Sequence, residues 1–190
     1  MQTGNTLILI GGSAGSMPVL FQILEGLPAE ITSTIVIVLH RQKNVISEFA
    51  NILTKHAGNK RIIEPEDKQL ILPGNIYLAP QNYHLLIEHD FTFSLDYSEL
   101  VNYSRPSIDV TFESAAQVFK NSITGIVLSG ANSDGASGLS TIISQGGKAL
   151  VQDPASAEYP MMPERALQQN PLATHLSPHK IVRLIAWLNT

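Results

Sequence analysis

The 190-residue chain reads as an α/β fold: a doubly wound, mostly parallel sheet with helices on both faces and a small antiparallel hairpin insertion. Three observations lead there. Short apolar runs alternate with stretches of helical periodicity. Several runs are closed by glycine, serine or histidine. One stretch, about 61–103, breaks the rhythm with closely spaced turns.

The first strand is expected from Thr6 to Ile10, a continuous apolar run followed by Gly11-Gly12-Ser13-Ala14-Gly15-Ser16 and Pro18. A strand covered on both faces has this composition, and proline is tolerated in the first turn of a helix. Val19, Leu20, Ile23, Leu24 and Leu27 then recur at helical spacing. Thr34 to Leu39 is a second buried strand, closed by His40-Arg41, and Ile46, Phe49, Ala50, Ile52 and Leu53 mark a helix stopping near Gly58.

In the middle stretch Leu72-Pro73-Gly74-Asn75 and Pro80-Gln81-Asn82 are turn signals around a short strand, Ile76 to Ala79. His84 to Glu88 and Phe91 to Leu95 are two more, so hairpins packed beside the main sheet are expected. The α/β order returns with a helix from Ser107 to Phe119 and a strand from Ile123 to Leu128. A polar loop carrying Asp134 and a helix through Leu139, Ile142 and Ile143 follow. The chain closes with a strand at Ala149–Val151, a helix from Met162 to Gln169 and a last helix capped by Ser177. A single domain spanning 1–190 is expected.

Composition removes whole classes of function. With no cysteine there is no disulfide scaffold, zinc–thiolate site, iron–sulfur cluster or cysteine nucleophile. Twelve cations against sixteen acidic residues give a net charge of −4, and the scattered Lys and Arg offer no face for nucleic acid. No apolar run has the length of a membrane span, and the first residues lack a basic signal start, so a cytoplasmic location is expected.

In an open parallel sheet, ligands bind outside the carboxyl ends of the strands. Three residues stand there: Ser13 after the first strand, His40 after the second, and Asp134 in the loop after Ile123–Leu128. Gly11-x-Ser13-x-Gly15 matches a nucleophile elbow, in which small neighbours leave a serine hydroxyl exposed at a strand-to-helix turn. The same residues also suit a tight turn whose Ser13 or Ser16 caps the helix, or a phosphate cradle with Arg41 nearby. The cradle lacks the Gly-x-Gly-x-x-Gly order and the P-loop lysine. Among the six histidines only His40 directly follows a buried strand. Asp134 precedes a helix whose amides would favour its charge, and a helix cap is the alternative role.

These stretches, taken together, resemble a known family. Leu9-Ile10-Gly11-Gly12-Ser13-Ala14-Gly15, Val38-Leu39-His40, Leu72 to Pro80, Arg105-Pro106-Ser107-Ile108-Asp109, Leu128-Ser129-Gly130 with Asp134-Gly135, Asp153-Pro154-x-Ser156 and Met162 to Leu167 follow the order seen in chemotaxis receptor methylesterase (CheB) catalytic domains. The resemblance implies a serine hydrolase that removes γ-methyl esters from receptor glutamates, releasing methanol, and deamidates receptor glutamines. It implies Ser13 as nucleophile, His40 as general base and then acid, and Asp134 as the orienting carboxylate. Backbone amides of Ala14 and Ala131 are the expected oxyanion donors. No metal or organic cofactor is required, and the expected partners are methyl-accepting chemotaxis receptors.

Family members commonly carry an N-terminal receiver domain, whereas here the first strand begins by residue 6. Constitutive activity, control by a separate receiver or kinase, or origin as a fragment of a longer chain are the expectations. Ala14 and Ser16 depart from the family's elbow, and Ala131-Asn132-Ser133 departs from its usual Gly-Met-Gly-x-Asp-Gly loop. A non-catalytic docking domain of the same fold and a nucleotide-binding module are the competing readings.

Overall fold

A computed structural model of the chain describes residues 6–41, 48–58 and 60–189. In chain order the elements are β1 (Leu7–Gly12), α1 (Met17–Glu25), β2 (Thr34–Leu39), α2 (Phe49–His56), β3 (Ile62–Ile63), β4 (Ile76–Leu78), β5 (His84–Ile87) and β6 (Phe93–Asp96). They continue with α3 (Ile108–Phe119), β7 (Ile123–Val127), α4 (Ala136–Ser144), β8 (Lys148–Gln152), α5 (Met161–Gln169), β9 (Thr174–Leu176) and α6 (Pro178–Trp187).

Seven strands form one sheet in the order β3-β4-β2-β1-β7-β8-β9, and every neighbouring pair is parallel. Parallel strands need covered crossovers, which is why β1, β2 and β7 are buried along their whole lengths. Alternation along β1 divides the core. Leu7 and Leu9 pack with Phe112, Leu139 and Met162 under α3, α4 and α5, while Ile8 and Ile10 pack with Leu20, Ile23, Leu53 and Ile181 under α1, α2 and α6. Burying each such side chain contributes about 1.5–3 kcal/mol.

From β1 the chain moves to β2 and beyond, then returns to set β7 against the other edge of β1. The order of connection therefore reverses between β1 and β7, and the segments leaving their carboxyl ends lie side by side, where the Ser13 amide donates to the Ser129 carbonyl.

The expected insertion is smaller than 61–103. Ile76-Tyr77-Leu78 is wholly buried and runs parallel between β2 and β3 within the main sheet. Among the described residues only β5 and β6 pair as antiparallel strands, and their hairpin packs on the α3 face through Leu85, Ile87 and Phe93. Turn signals on both sides of a three-residue strand hid a crossover that begins and ends close to the sheet. β9 is an addition: its Thr-His-Leu sequence is mostly exposed at the edge and carries no apolar run to betray it. Of the residues expected on α2, Ile46 lies outside those described. Ser177 stands at the N-cap of α6 but makes no side-chain cap hydrogen bond.

Candidate active site

The strand ends fall in register. Gly12 pairs with Leu39 and Gly11 with Val127. One step further the His40 amide donates to the Gly12 carbonyl at 3.2 Å, and the Leu128 amide to the Gly11 carbonyl at 2.8 Å. Ser13, His40 and the Asp134 loop therefore leave the sheet at one edge.

Ser13 is held by its backbone alone. Its N–H donates to the Ser129 carbonyl at 3.0 Å, and its carbonyl accepts from the Ser16 hydroxyl at 2.7 Å. Neither serine caps α1: Ser16 makes no side-chain cap bond, and among the described residues the Ser13 hydroxyl has no hydrogen-bond partner. Gly15 turns the chain in the left-handed region, at φ +73°, under Tyr159 and Ser129, where a Cβ would come within 2.8 Å of the Ser129 hydroxyl. The Ser129 hydroxyl donates to the Ala14 carbonyl at 2.9 Å and accepts from the Tyr159 amide at 3.0 Å, tying three loops together. Among the described residues neither the Ala14 nor the Ala131 amide has an acceptor.

The His40 Nε2 lies 2.8 Å from Asp134 Oδ2. A carboxylate can only accept, so Nε2 carries the hydrogen, and in the neutral ring Nδ1 keeps a lone pair. Asp134 is 1% exposed, a position that demands many donors. Besides His40, its Oδ2 accepts from the Ile108 amide at 2.7 Å; its Oδ1 accepts from the Ser107 hydroxyl, Asp109 amide, Asn102 amide group and Gly135 amide at 2.9–3.1 Å. Burial opposes its charge, but the bonds from His40, Asn102 and the Asp109 and Ile108 amides outweigh it and lower the carboxyl to about 2.

The helix serving Asp134 is not the one expected. Of the helix that follows it, α4, Asp134 takes only the amide of the N-cap residue, Gly135, whereas the first amides of α3, with the N-cap Ser107, converge on it. Ser107, Asn102 and Asp109 are polar neighbours of Asp134 that strand-end reasoning missed. The Arg105-to-Asp109 stretch marked their neighbourhood without a role. Asp109 accepts from the Gly138 amide at 2.7 Å and from Asn102 at 2.8 Å. Burial pushes it up to about 6 against the Gly138 bond, and the charges of Asp134 and Glu113 push the same way.

Other candidates resolve differently. His84 is fully buried and bonded on both ring nitrogens: its Nδ1 accepts from the Ser107 amide at 3.1 Å and its Nε2 donates to the Glu99 carbonyl at 2.9 Å. It thereby seats the start of α3. Arg41 is engaged by Glu64 at 2.8 Å and by the Ala79 carbonyl at 2.9 Å, which argues against a phosphate role. Among the described residues no group of three or more His, Asp or Glu could hold a metal ion.

The family model described as CheB methylesterase matches residues 8–185. The chain belongs to the CheB methylesterase family. A relative from Leptospira interrogans, provisionally named protein-glutamate methylesterase/protein-glutamine glutaminase, is 46% identical over 96% of this chain and 94% of its own length. A Halobacterium salinarum protein with the same two activities in its name is 36% identical over 86% of this chain, and the match spans 48% of that protein. The crystal structure of the Thermotoga maritima CheB methylesterase catalytic domain superposes with a TM-score of 0.90 at 26% identity, covering 98% of this chain and all of that one.

In this CheB methylesterase family member, an open pocket of about 510 Å³ adjoins Ala131 and is walled by Tyr159, Met161, Glu164 and Arg165. It lies where the Ser129–Gly130 segment meets the loop before α5. Among the described residues no helix is long and apolar enough to cross a membrane.

Proposed function

We propose that the chain is a serine esterase that hydrolyses γ-methyl esters of glutamates on chemotaxis receptors and deamidates receptor glutamines by the same route. The observation that carries this reading is the 2.8 Å bond between His40 Nε2 and a carboxylate held charged by six donors, at the sheet edge where Ser13 turns out of β1.

The Ser13 hydroxyl attacks the ester carbonyl while His40 Nδ1 takes its proton. Asp134 stabilises the imidazolium and keeps Nδ1 as the basic nitrogen by accepting from Nε2. The oxyanion is met by the unengaged amides of Ala14 and Ala131, donors of a type that contribute about 3–4 kcal/mol each. His40 returns the proton to the departing methoxide, releasing methanol, and a water activated by His40 then cleaves the acyl-enzyme to regenerate Ser13 and a free glutamate. With glutamine as substrate the leaving group is ammonia. The pocket beside Ala131 would take residues flanking the reacting side chain.

The experiment is methanol release from methylated receptor, with wild type and Ser13→Ala in parallel. Release by wild type and none by the variant supports the reading, and equal release by both overturns it.

A further inference from the structure

We propose that Asn102 is a positioning residue of this site: its side-chain amide, lodged between Asp109 and Asp134, keeps Asp134 charged and aimed at His40. The inference rests on the esterase reading above.

Asn102 Nδ2 donates to Asp109 Oδ2 at 2.8 Å and to Asp134 Oδ1 at 3.0 Å. Ionised carboxylates accept only, so with both acids charged the orientation of the amide is fixed and both of its hydrogens are used. The residue reaches this place from the tip of a two-residue turn, closed by reciprocal backbone bonds between Val101 and Ser104 at 3.2 and 2.9 Å. Asn102 and Tyr103 both lie in the left-handed region, at φ 50° and 62°. Asparagine tolerates that conformation, but tyrosine there is an outlier. Tyr103 is 95% exposed, so its burial offsets nothing. The side chain of Asn102, bonded to two buried acids, ties the turn to the site, and Asn132 Nδ2 reaches the Asn102 carbonyl at 3.5 Å.

The two carboxylates are 6% and 1% exposed. Like charges placed so deeply do not both stay ionised without donors between them. The titratable groups facing the pair are His40 at the end of β2, Glu113 on α3, and His84 on β5, which is occupied by the Ser107 amide and the Glu99 carbonyl. Among the described residues no lysine or arginine pairs with either acid. Without the Asn102 amide the two carboxylates lose the donor they share, their mutual repulsion raises the affinity of the pair for a proton, and Asp134 becomes a poorer acceptor for His40.

The test is Asn102→Gly, which keeps a residue suited to positive φ and removes the whole side chain, its amide included. With methylated receptor as substrate, kcat is expected to fall about 10- to 100-fold at constant KM, and the acid limb of the kcat profile to move up by about one pH unit. Adding Asp109→Asn removes the second charge and brings a new amide donor near Asp134, so the double variant should regain at least about tenfold in kcat and the original acid limb. Wild-type kcat and pH profile in Asn102→Gly would overturn the inference. So would a loss that Asp109→Asn does not relieve and that tracks a fall in the folded fraction. Absence of methanol release by the wild type is a different result, because it removes the esterase reading as well.

Discussion

The Ile108 amide, at the start of α3, donates to Asp134 Oδ2 at 2.7 Å, on the same oxygen that receives His40 Nε2. One carboxylate therefore joins the imidazole to a helix terminus 26 residues away in sequence. An amide at this position would present hydrogens to donors. Asp134→Asn is expected to lower methanol release by about 10⁴-fold through imidazole misorientation. It should also lower stability by about 1–3 kcal/mol, because donors at α3 lose an acceptor in a dry place. Turnover and denaturant midpoints measured on the same preparation check both effects.

Ser13→Ala should separate activity from stability. The hydroxyl has no partner among the described residues, while the backbone of Ser13 carries its structural bonds to Ser129 and Ser16. Activity is expected to vanish with a change in stability of no more than about 0.5 kcal/mol, the usual range for a side chain without such contacts. Calorimetry and a methanol assay suffice.

The two buried acids should titrate on opposite sides of their ordinary value of 3.8. Asp134, lowered to about 2, contributes stability that is present above pH 3.8 and lost as pH falls through about 2. Asp109, raised to about 6, binds its proton more tightly folded than unfolded. Its contribution is present below pH 3.8 and lost as pH rises through about 6. Carboxyl carbon NMR titration should show Asp109 titrating well above Asp134, and the reverse order would contradict the hydrogen-bond accounting.

Gly130 lets the Asp134 loop close over α5. A Cβ there would lie 1.8 Å from Met162 Sδ and 3.0 Å from Ser13 Cβ. Gly130→Ala should therefore displace Met162 and the adjoining Ala131 amide. The expected cost is about 1–3 kcal/mol of overpacking, with a fall in kcat that exceeds any change in KM. Steady-state kinetics and thermal denaturation of this variant check the expectation.

Much of the fold was legible because β1, β2 and β7 are covered on both faces and so read as unbroken apolar runs, while α1, α3 and α4 keep helical spacing. What periodicity could not reveal was pairing. β4 looked like a hairpin strand because turns bound it, and only its partners β2 and β3 show it to be internal. At the candidate site, strand-end logic marked Ser13, His40 and Asp134, which the sheet topology brings to one edge. It missed Asn102, Ser107 and Asp109 because they reach Asp134 from the start of α3 and from a turn with two left-handed residues, neither of which leaves a spacing pattern.

The most direct measurement is labelling with a serine-directed fluorophosphonate, followed by mass mapping of wild type and His40→Ala. A single adduct on the Ser13 peptide, lost when His40 is removed, is the expected result. An adduct on another residue, or undiminished labelling of Ser13 without His40, would contradict a relay running from Ser13 through His40 to Asp134.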